Sequence, residues 1–234
     1  MSDRRMIEQS AAPGTIWWVL WVLVFSVVLI CGLLVGLSDR RQRRAITDAE
    51  DVGAFVTTQQ VTSRWSREPA LDYLLRGSQR VLRVRLSRAG TPRRDIVKLL
   101  QSMQAFPELR IVRFAFTPII DDDLKELKSY SKLEALDLEQ TRVTDAGLAH
   151  VAHLPRLNWL VLDRTALTDQ GLEQVAKLSE LQMLSIENTA VTDTGLKLLK
   201  WLPHLDRIYL RGTQITEKGI RDFQDALPKV RIIR

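Results

Sequence analysis

The chain has 234 residues, of which 45% are hydrophobic and 26% are charged, and its 34 basic residues outnumber its 28 acidic ones to give a net charge of +6. This balance excludes an intrinsically disordered chain and predicts one folded domain with an appendage. The single cysteine, Cys31, excludes an internal disulfide and a zinc site built from cysteines.

An apolar run near the N-terminus is long enough to cross a membrane. Residues 1–15 form a polar tail, and the run from Ile16 to Leu37 carries no charge and begins with a cluster of tryptophans. A helix of that length spans roughly 33 Å, against about 30 Å for the hydrocarbon core of a bilayer. The run is too long for a signal peptide, and no A-x-A-like cleavage site follows it. The sequence therefore predicts one transmembrane helix over residues 16–37.

Arginines flank this run unequally. Two precede it and four follow it, namely Arg4 and Arg5, then Arg40, Arg41, Arg43 and Arg44. Because positive residues accumulate on the cytoplasmic side of a membrane, we expect the rest of the chain to lie in the cytoplasm. We also expect the four arginines after the run to contact the membrane surface, since anionic lipids attract basic side chains.

Residues 38–80 are predicted to form a juxtamembrane segment and an N-terminal cap. They include a β-prone run at 54–61 and a stretch with helical spacing at 70–76. A leucine-rich domain is predicted from there to the end, over residues 81–234. This domain is built from a repeated unit, and its first unit is a degenerate one whose strand lies around Val84.

Within residues 81–234 the sequence repeats with a period of about 24 residues, which predicts a solenoid. Five copies begin at Leu109, Leu133, Leu157, Leu181 and Leu205, and one more strand is expected from Val230 to Ile233. The shared frame is L-x-x-L-x-L-x-x-T-x-[VLI]-T-[DE]-x-G-[LI].

One copy shows how each unit should fold. Leu136 and Leu138 alternate with polar residues, which predicts a short strand with one buried face. Thr141 follows at the turn, where hydroxyls from successive copies could form a ladder that satisfies backbone groups. Thr144 precedes an acid and an apolar spacing typical of a helix start. Gly147 is expected to allow close approach of the helix to neighbouring backbone.

This frame resembles the leucine-rich repeat, and the layout of tail, span, cap and TDxGL-type repeats resembles membrane-anchored bacterial proteins that contain it. The resemblance implies an α/β solenoid with parallel strands on its concave face and short helices on its convex face. It also implies a role in protein recognition, and it carries over no catalytic residue.

The outward-pointing strand residues should form the concave face. The side chains predicted to bind a partner in the last three copies are Trp159, Val161, Met183, Arg207, Tyr209 and Arg211. Because leucine or a polar residue would satisfy the scaffold there, an outward tryptophan fits an interface hot spot. The alternative is that Trp159 only covers its neighbours.

Three acids in a third outward column complete the predicted partner-binding set: Glu139, Asp163 and Glu187. Adjacent strands would stack them about 4.8 Å apart, and like charges so placed repel each other. A cation or a basic side chain of a partner would relieve this repulsion. A metal is disfavoured because calcium requires six to eight oxygens.

The remaining polar clusters predict neither a metal site nor a nucleic-acid site. The three histidines, His150, His153 and His204, cannot complete a zinc site, and the first two are expected to be exposed on a helix. Seven arginines between residues 76 and 94 favour a membrane surface over nucleic acid, because no nucleic-acid-binding motif is present.

No nucleophile elbow, phosphate loop or dinucleotide fingerprint occurs, so we expect neither enzyme activity nor a cofactor. The sequence predicts a membrane-anchored module that recognises a protein partner on its concave face. Two alternatives stay open. One is a structural protein that self-associates at the membrane, and the other is a non-catalytic accessory subunit of an enzyme complex.

Overall fold

The computed structural model describes Ser26 and residues 37–60, 79–86 and 91–234. The predicted tail at 1–15, almost all of the predicted span at 16–37 and the helical prediction at 70–76 lie outside these residues. Within the described ranges, no helix combines the length and the apolar character that crossing a bilayer requires.

The strands form one eight-stranded sheet in chain order. They are β1 (Phe55–Gln60), β2 (Gln79–Arg85), β3 (Ile111–Arg113), β4 (Ala135–Asp137), β5 (Trp159–Val161), β6 (Met183–Ser185), β7 (Arg207–Tyr209) and β8 (Arg231–Ile233). The pair β1–β2 is antiparallel, and every later pair is parallel.

Helices connect the parallel strands. They are α2 (Arg93–Met103), α3 (Asp145–Val151), α4 (Asp169–Val175), α5 (Asp193–Leu198) and α6 (Glu217–Ala226), with 3-10 helices at Asp121–Ser129 and Leu199–Trp201. One more helix, α1 (residues 37–51), precedes β1. Parallel strands require such a crossover connection. The chain therefore folds as an α/β solenoid of the leucine-rich-repeat kind, with one strand and one helix in each unit.

The predicted cap and the repeats share one sheet. β1 lies in the β-prone run and pairs with β2, so that Phe55 opposes Arg85. Because β2 begins at Gln79, the boundary predicted between residues 80 and 81 falls inside a strand. Ala45 and Ala49 of α1 are buried in the same hydrophobic core as the repeats, so α1 belongs to the folded body.

The inward strand residues form a continuous leucine column. Register places Leu136 beside Leu160, and Leu160 beside Leu184, and all three have 0% exposed area. The prediction of which strand residues point inward is therefore confirmed. The predicted strand at Val230–Ile233 differs slightly, because it starts at Arg231 and Ile232 takes the inward position beside Ile208.

Each turn that leaves a strand combines a left-handed residue with a threonine. Phe116, Gln140, Arg164 and Asn188 have φ between 51° and 62°, and Gly212 has φ 71°. The next residue is a threonine whose hydroxyl donates to the carbonyl three residues earlier, as from Thr141 to Leu138 at 2.8 Å. The turn threonines thus satisfy backbone groups of the turn, as predicted, and each does so within its own repeat.

The second threonine of each repeat caps a helix, as predicted. The Thr168 hydroxyl accepts from the Gln170 N–H at 3.3 Å. It also donates to the Asp145 carboxylate of the preceding repeat at 2.6 Å, and the Thr168 N–H donates to the same carboxylate at 2.8 Å. Matching pairs join Asp121 to Thr144, Asp169 to Thr192 and Asp193 to Thr216. We call these bonds the Asp–Thr staple.

The staple explains the glycine of the repeat. A Cβ at Gly219 would collide with the Asp193 carboxylate of the preceding repeat, and its three nearest atoms all belong to that side chain. The predicted close approach exists, but glycine makes room for a side chain and not for backbone. The Thr-Asp-x-Gly motif therefore encodes one interaction that is shared by two repeats.

This interaction predicts coupling between Gly219 and Asp193. Gly219→Ala should destabilise the chain by about 1–3 kcal/mol, because the methyl group overpacks against the carboxylate. Asp193→Ala should also destabilise it, since Thr216 loses both bonds. The collision is absent in the double variant. The double variant should therefore lose less free energy of urea unfolding than the sum of the losses in the two single variants.

Asp169→Ala serves as the control, because Asp169 contacts Gly195 and not Gly219. When Asp169→Ala is combined with Gly219→Ala, the loss in the free energy of unfolding should equal the sum of the losses in the two single variants. Additive losses for the Gly219 and Asp193 pair as well would contradict the proposed collision.

Candidate functional site

The sheet register sets the predicted outward residues in columns on the concave face. One column runs through Trp159, Met183 and Arg207, and the next through Val161, Ser185 and Tyr209. The third column follows from backbone bonds between Gln140 and Asp163 and between Arg164 and Glu187, which place the three predicted acids side by side. The structure therefore brings the predicted partner-binding residues together on one surface.

Trp159 is half-buried because an arginine lies over it. The Arg113 guanidinium is 5.0 Å from the centre of the Trp159 ring, a distance typical of a cation–π contact. Arg113 is on β3 and Trp159 is on β5, so the arginine reaches across β4, where Ala135 is small and buried. The ring is thereby held in place on an otherwise open sheet face.

Hydrogen bonds hold Asp163. Its Oδ1 atom accepts from the Ser185 hydroxyl at 2.6 Å and from the Glu187 N–H at 2.7 Å. Burial raises the pKa of Asp163, although both hydrogen bonds oppose the rise. Asp163 therefore stabilises the junction between β5 and β6. Its side chain is still partly exposed to solvent.

Arginines relieve the repulsion among the other acids. Glu187 lies 2.9 Å from Arg211, and Glu139 lies 3.8 Å from Arg164. Burial and the nearby Asp163 raise the pKa of Glu139. The chain therefore supplies counter-charges of its own to two of the three acids. Among the residues that the structure describes, no group of three possible ligands is placed to hold a metal.

Three predicted site residues differ from expectation. Val161 points outward by register, but it is only 8% exposed because neighbouring side chains cover this column. Arg211 is exposed but paired with Glu187, and Arg207 is paired with Asp206 at 3.1 Å. The accessible apolar and aromatic area thus comes from Trp159, Met183 and Tyr209, which are half-buried.

Two further predictions need correction. His150 is half-buried rather than exposed, and its Nδ1 atom is buried without a partner among the described residues.

The arginine-rich stretch does not form one surface, because Arg83 lies on the concave face of β2 whereas Arg93 pairs with Asp123 at 3.0 Å beside α2. Arg83 belongs to a strand and Arg93 begins the helix that follows it.

Arg113 and Asp137 also belong to the site, although they were not among the residues predicted from the sequence to bind a partner. They are neighbours in the Val161 column. Burial raises the pKa of Asp137, opposed by its bond from the Glu139 N–H and by the positive charges of Arg113 and Arg85. Their place in the same column as Val161 could have pointed to both residues. The contact between Arg113 and Trp159 could not be predicted, because it joins β3 to β5 and leaves no pattern in the local sequence.

Asp137→Asn should therefore raise stability near neutral pH. Because the folded pKa exceeds the unfolded one, ionised Asp137 disfavours the native state above its folded pKa. The amide oxygen still accepts from the Glu139 N–H. The gain in urea midpoint should shrink as pH falls through the raised pKa and vanish below about 3.9, the ordinary aspartate value.

Asp222→Asn on the exposed face of α6 is the control and should leave the midpoint unchanged. A lower midpoint for Asp137→Asn at neutral pH would mean that attraction to Arg113 and Arg85 outweighs the cost of burial.

No protein-family model and no curated protein matches the chain. Among solved structures, internalin C2 from Listeria monocytogenes is 22% identical with a TM-score of 0.49, over 63% of this chain and 69% of that one. A second internalin of that species is 18% identical with a TM-score of 0.42, over 56% and 43%. A leucine-rich-repeat protein of Leptospira interrogans is 19% identical with a TM-score of 0.45, over 75% and 40%. The chain spans less than half the length of the last two proteins. The description of this chain as a leucine-rich-repeat solenoid rests on its own frame, its parallel register and its inward leucine column.

Proposed function

We propose that the chain is a membrane-anchored recognition module that binds a protein partner on its concave face. The observation that carries the proposal is Trp159, which is held under Arg113 on a sheet face where the scaffold requires no aromatic residue. A rigid, partly exposed tryptophan loses little conformational freedom on binding, and such residues dominate interface energies.

The surroundings of Trp159 indicate the chemistry of the partner. Met183 lies beside it in the same column, and Glu139 and Asp163 lie just past the ends of β4 and β5, four residues further along the chain than that column. A partner segment with an apolar side chain over Trp159 and Met183 and a lysine or arginine towards the two acids would be complementary. Raised pKa values at Glu139 and Asp163 mean that acidification would weaken attraction to a basic side chain.

Membrane anchoring rests on the uncharged run at residues 16–37 and on the arginines that follow it. These arginines also support a cytoplasmic location for the repeats. The lack of a recognisable nucleophile motif supports a role without chemistry of its own.

Self-association is the second candidate. In the described part of the chain β8 has a strand on one side only, and Ile233 on it is 37% exposed. An open strand edge can pair with another copy, although Arg231 on β8 opposes this by its charge.

Trp159→Ala tests partner binding. With a photo-crosslinking amino acid at Met183 of the full chain in native membranes, we expect a discrete crosslinked product that the Trp159→Ala substitution removes. The expected loss is about 2 kcal/mol or more in binding free energy, roughly thirtyfold in affinity.

Trp201→Ala is the matched control, because Trp201 is 75% exposed and lies on a 3-10 helix away from the strands. It should leave the product unchanged. A product that survives Trp159→Ala, or that is also lost on Trp201→Ala, would contradict binding at the concave face. A product made only of two copies of the chain would support self-association.

The proposed topology predicts the accessibility of a new cysteine. Glu173→Cys introduces a thiol on α4, where residue 173 is exposed. A membrane-impermeant maleimide should label it only after cells are permeabilised, while the parent chain, whose one cysteine lies in the apolar run, serves as the background. Labelling in intact cells would place the repeats outside the cytoplasm.

A further inference from the structure

A groove of about 920 Å³ lies between α1 and the end of α2. Arg40, Arg41 and Arg44 of α1 line one side, and Gln101 and Gln104 line the other. Its volume falls within the range of sites that bind small ligands or headgroups. The two walls are held together because Ala45 and Ala49 of α1 are buried in the common core.

The groove carries unneutralised positive charge. Among the described residues, no acid pairs with Arg40, Arg41 or Arg44. Asp48 is the one carboxylate among the described lining residues, so three positive charges face one negative charge. Arg43 differs, because it pairs with Asp39 at 2.8 Å and does not line the groove. The groove is thus an anion site by charge, and Arg43 on the same helix stands apart from it.

Leu37, the last residue of the predicted span, also lines the groove. At the rise of an α-helix, Arg40, Arg41 and Arg44 lie about 4.5, 6 and 10.5 Å beyond Leu37. The headgroup layer on each side of a bilayer is about 5–8 Å thick. If α1 continues the span, Arg40 and Arg41 are therefore at headgroup depth, and the backbone of Arg44 lies a few ångströms beyond that layer, from which a long arginine side chain can reach back into it.

We propose that this groove binds the headgroup of an anionic phospholipid, with Arg40, Arg41 and Arg44 on its phosphate. The proposal rests on the membrane anchoring proposed above. Guanidinium groups bind phosphate oxygens through paired hydrogen bonds. The Asp48 carboxylate repels a second negative charge but accepts a bond from a hydroxyl. A singly charged glycerol headgroup therefore fits better than free, doubly charged phosphate.

A lipid bound in this position would contact α1 and approach α2 at the same time. Because both helices belong to the core of the repeat domain, the bound headgroup would limit tilting of the solenoid relative to the membrane. The groove would thus set which way the concave face points, whatever partner it binds.

Native mass spectrometry of the detergent-solubilised full chain tests the proposal with phosphatidylglycerol and phosphatidylcholine as probes. Phosphatidylglycerol should be retained more tightly than phosphatidylcholine. Arg41→Gln should weaken its retention about fivefold, the effect of losing one basic residue at an anionic lipid. Arg43→Gln removes the same charge from the same helix outside the groove, and it should leave retention unchanged. Thermal unfolding followed by circular dichroism checks that both variants keep the fold.

Three outcomes would overturn the proposal. Equal retention of the two lipids would remove its basis, and equal losses in Arg41→Gln and Arg43→Gln would indicate general attraction to a basic helix. Displacement of phosphatidylglycerol by excess inorganic phosphate would assign the groove to free phosphate. Alkaline extraction of native membranes tests the anchor separately, because a chain released by alkali lacks a transmembrane span whatever its lipid preference in detergent.

Discussion

The aspartates that follow the helix-capping threonines, at Asp145, Asp169 and Asp193, each accept two hydrogen bonds from the corresponding threonine of the next repeat, one from its N–H and one from its hydroxyl. Strands β3 to β8 are only three residues long, so the backbone ladder supplies few bonds between neighbouring repeats. The Asp–Thr staple adds two charge-assisted bonds at each junction from Asp121 to Thr216. A glycine three residues after the threonine leaves space for the carboxylate. Repeat spacing on the helix side is thereby set by side chains.

Fixed spacing between repeats is what creates the concave face. Strands in register place each outward residue beside its counterparts, so Arg113 can reach Trp159 across β4 and Arg211 can reach Glu187. Because a solenoid is stabilised through contacts between neighbours and its inward column, its outward residues are free to serve recognition. Asp137 and Asp163 show the limit of that freedom, since burial raises the pKa of each.

The N-terminal part of the described chain is not a separate linker. α1 contributes buried alanines to the core, and β1 extends the sheet in the antiparallel direction. In the proposed topology the orientation of the concave face towards the membrane would depend on how α1 packs against α2. The basic groove between these helices lies at that junction.

The repeat frame was sufficient to predict the strand phase, the helix caps and the solenoid, because each depends on residues close in sequence. Leu136 and Leu160 are inward because of a period of two, and Thr144 caps its own helix. Partners one or two repeats away could not be predicted in this way. The position of a residue on a face follows from periodicity, but its neighbour depends on the rotamer and on the distance between strands.

Tertiary structure therefore decided the interactions that give the surface its chemistry. Arginines lie beside Glu139 and Glu187 and offset their charges, and close packing buries Val161 on the outward face. The glycine of the motif was predicted to allow close approach of neighbouring backbone, but the group that lies against it is the aspartate carboxylate of the preceding repeat. Only packing of the assembled repeats determines these contacts, since desolvation and charge pairing act between side chains that are distant in the chain.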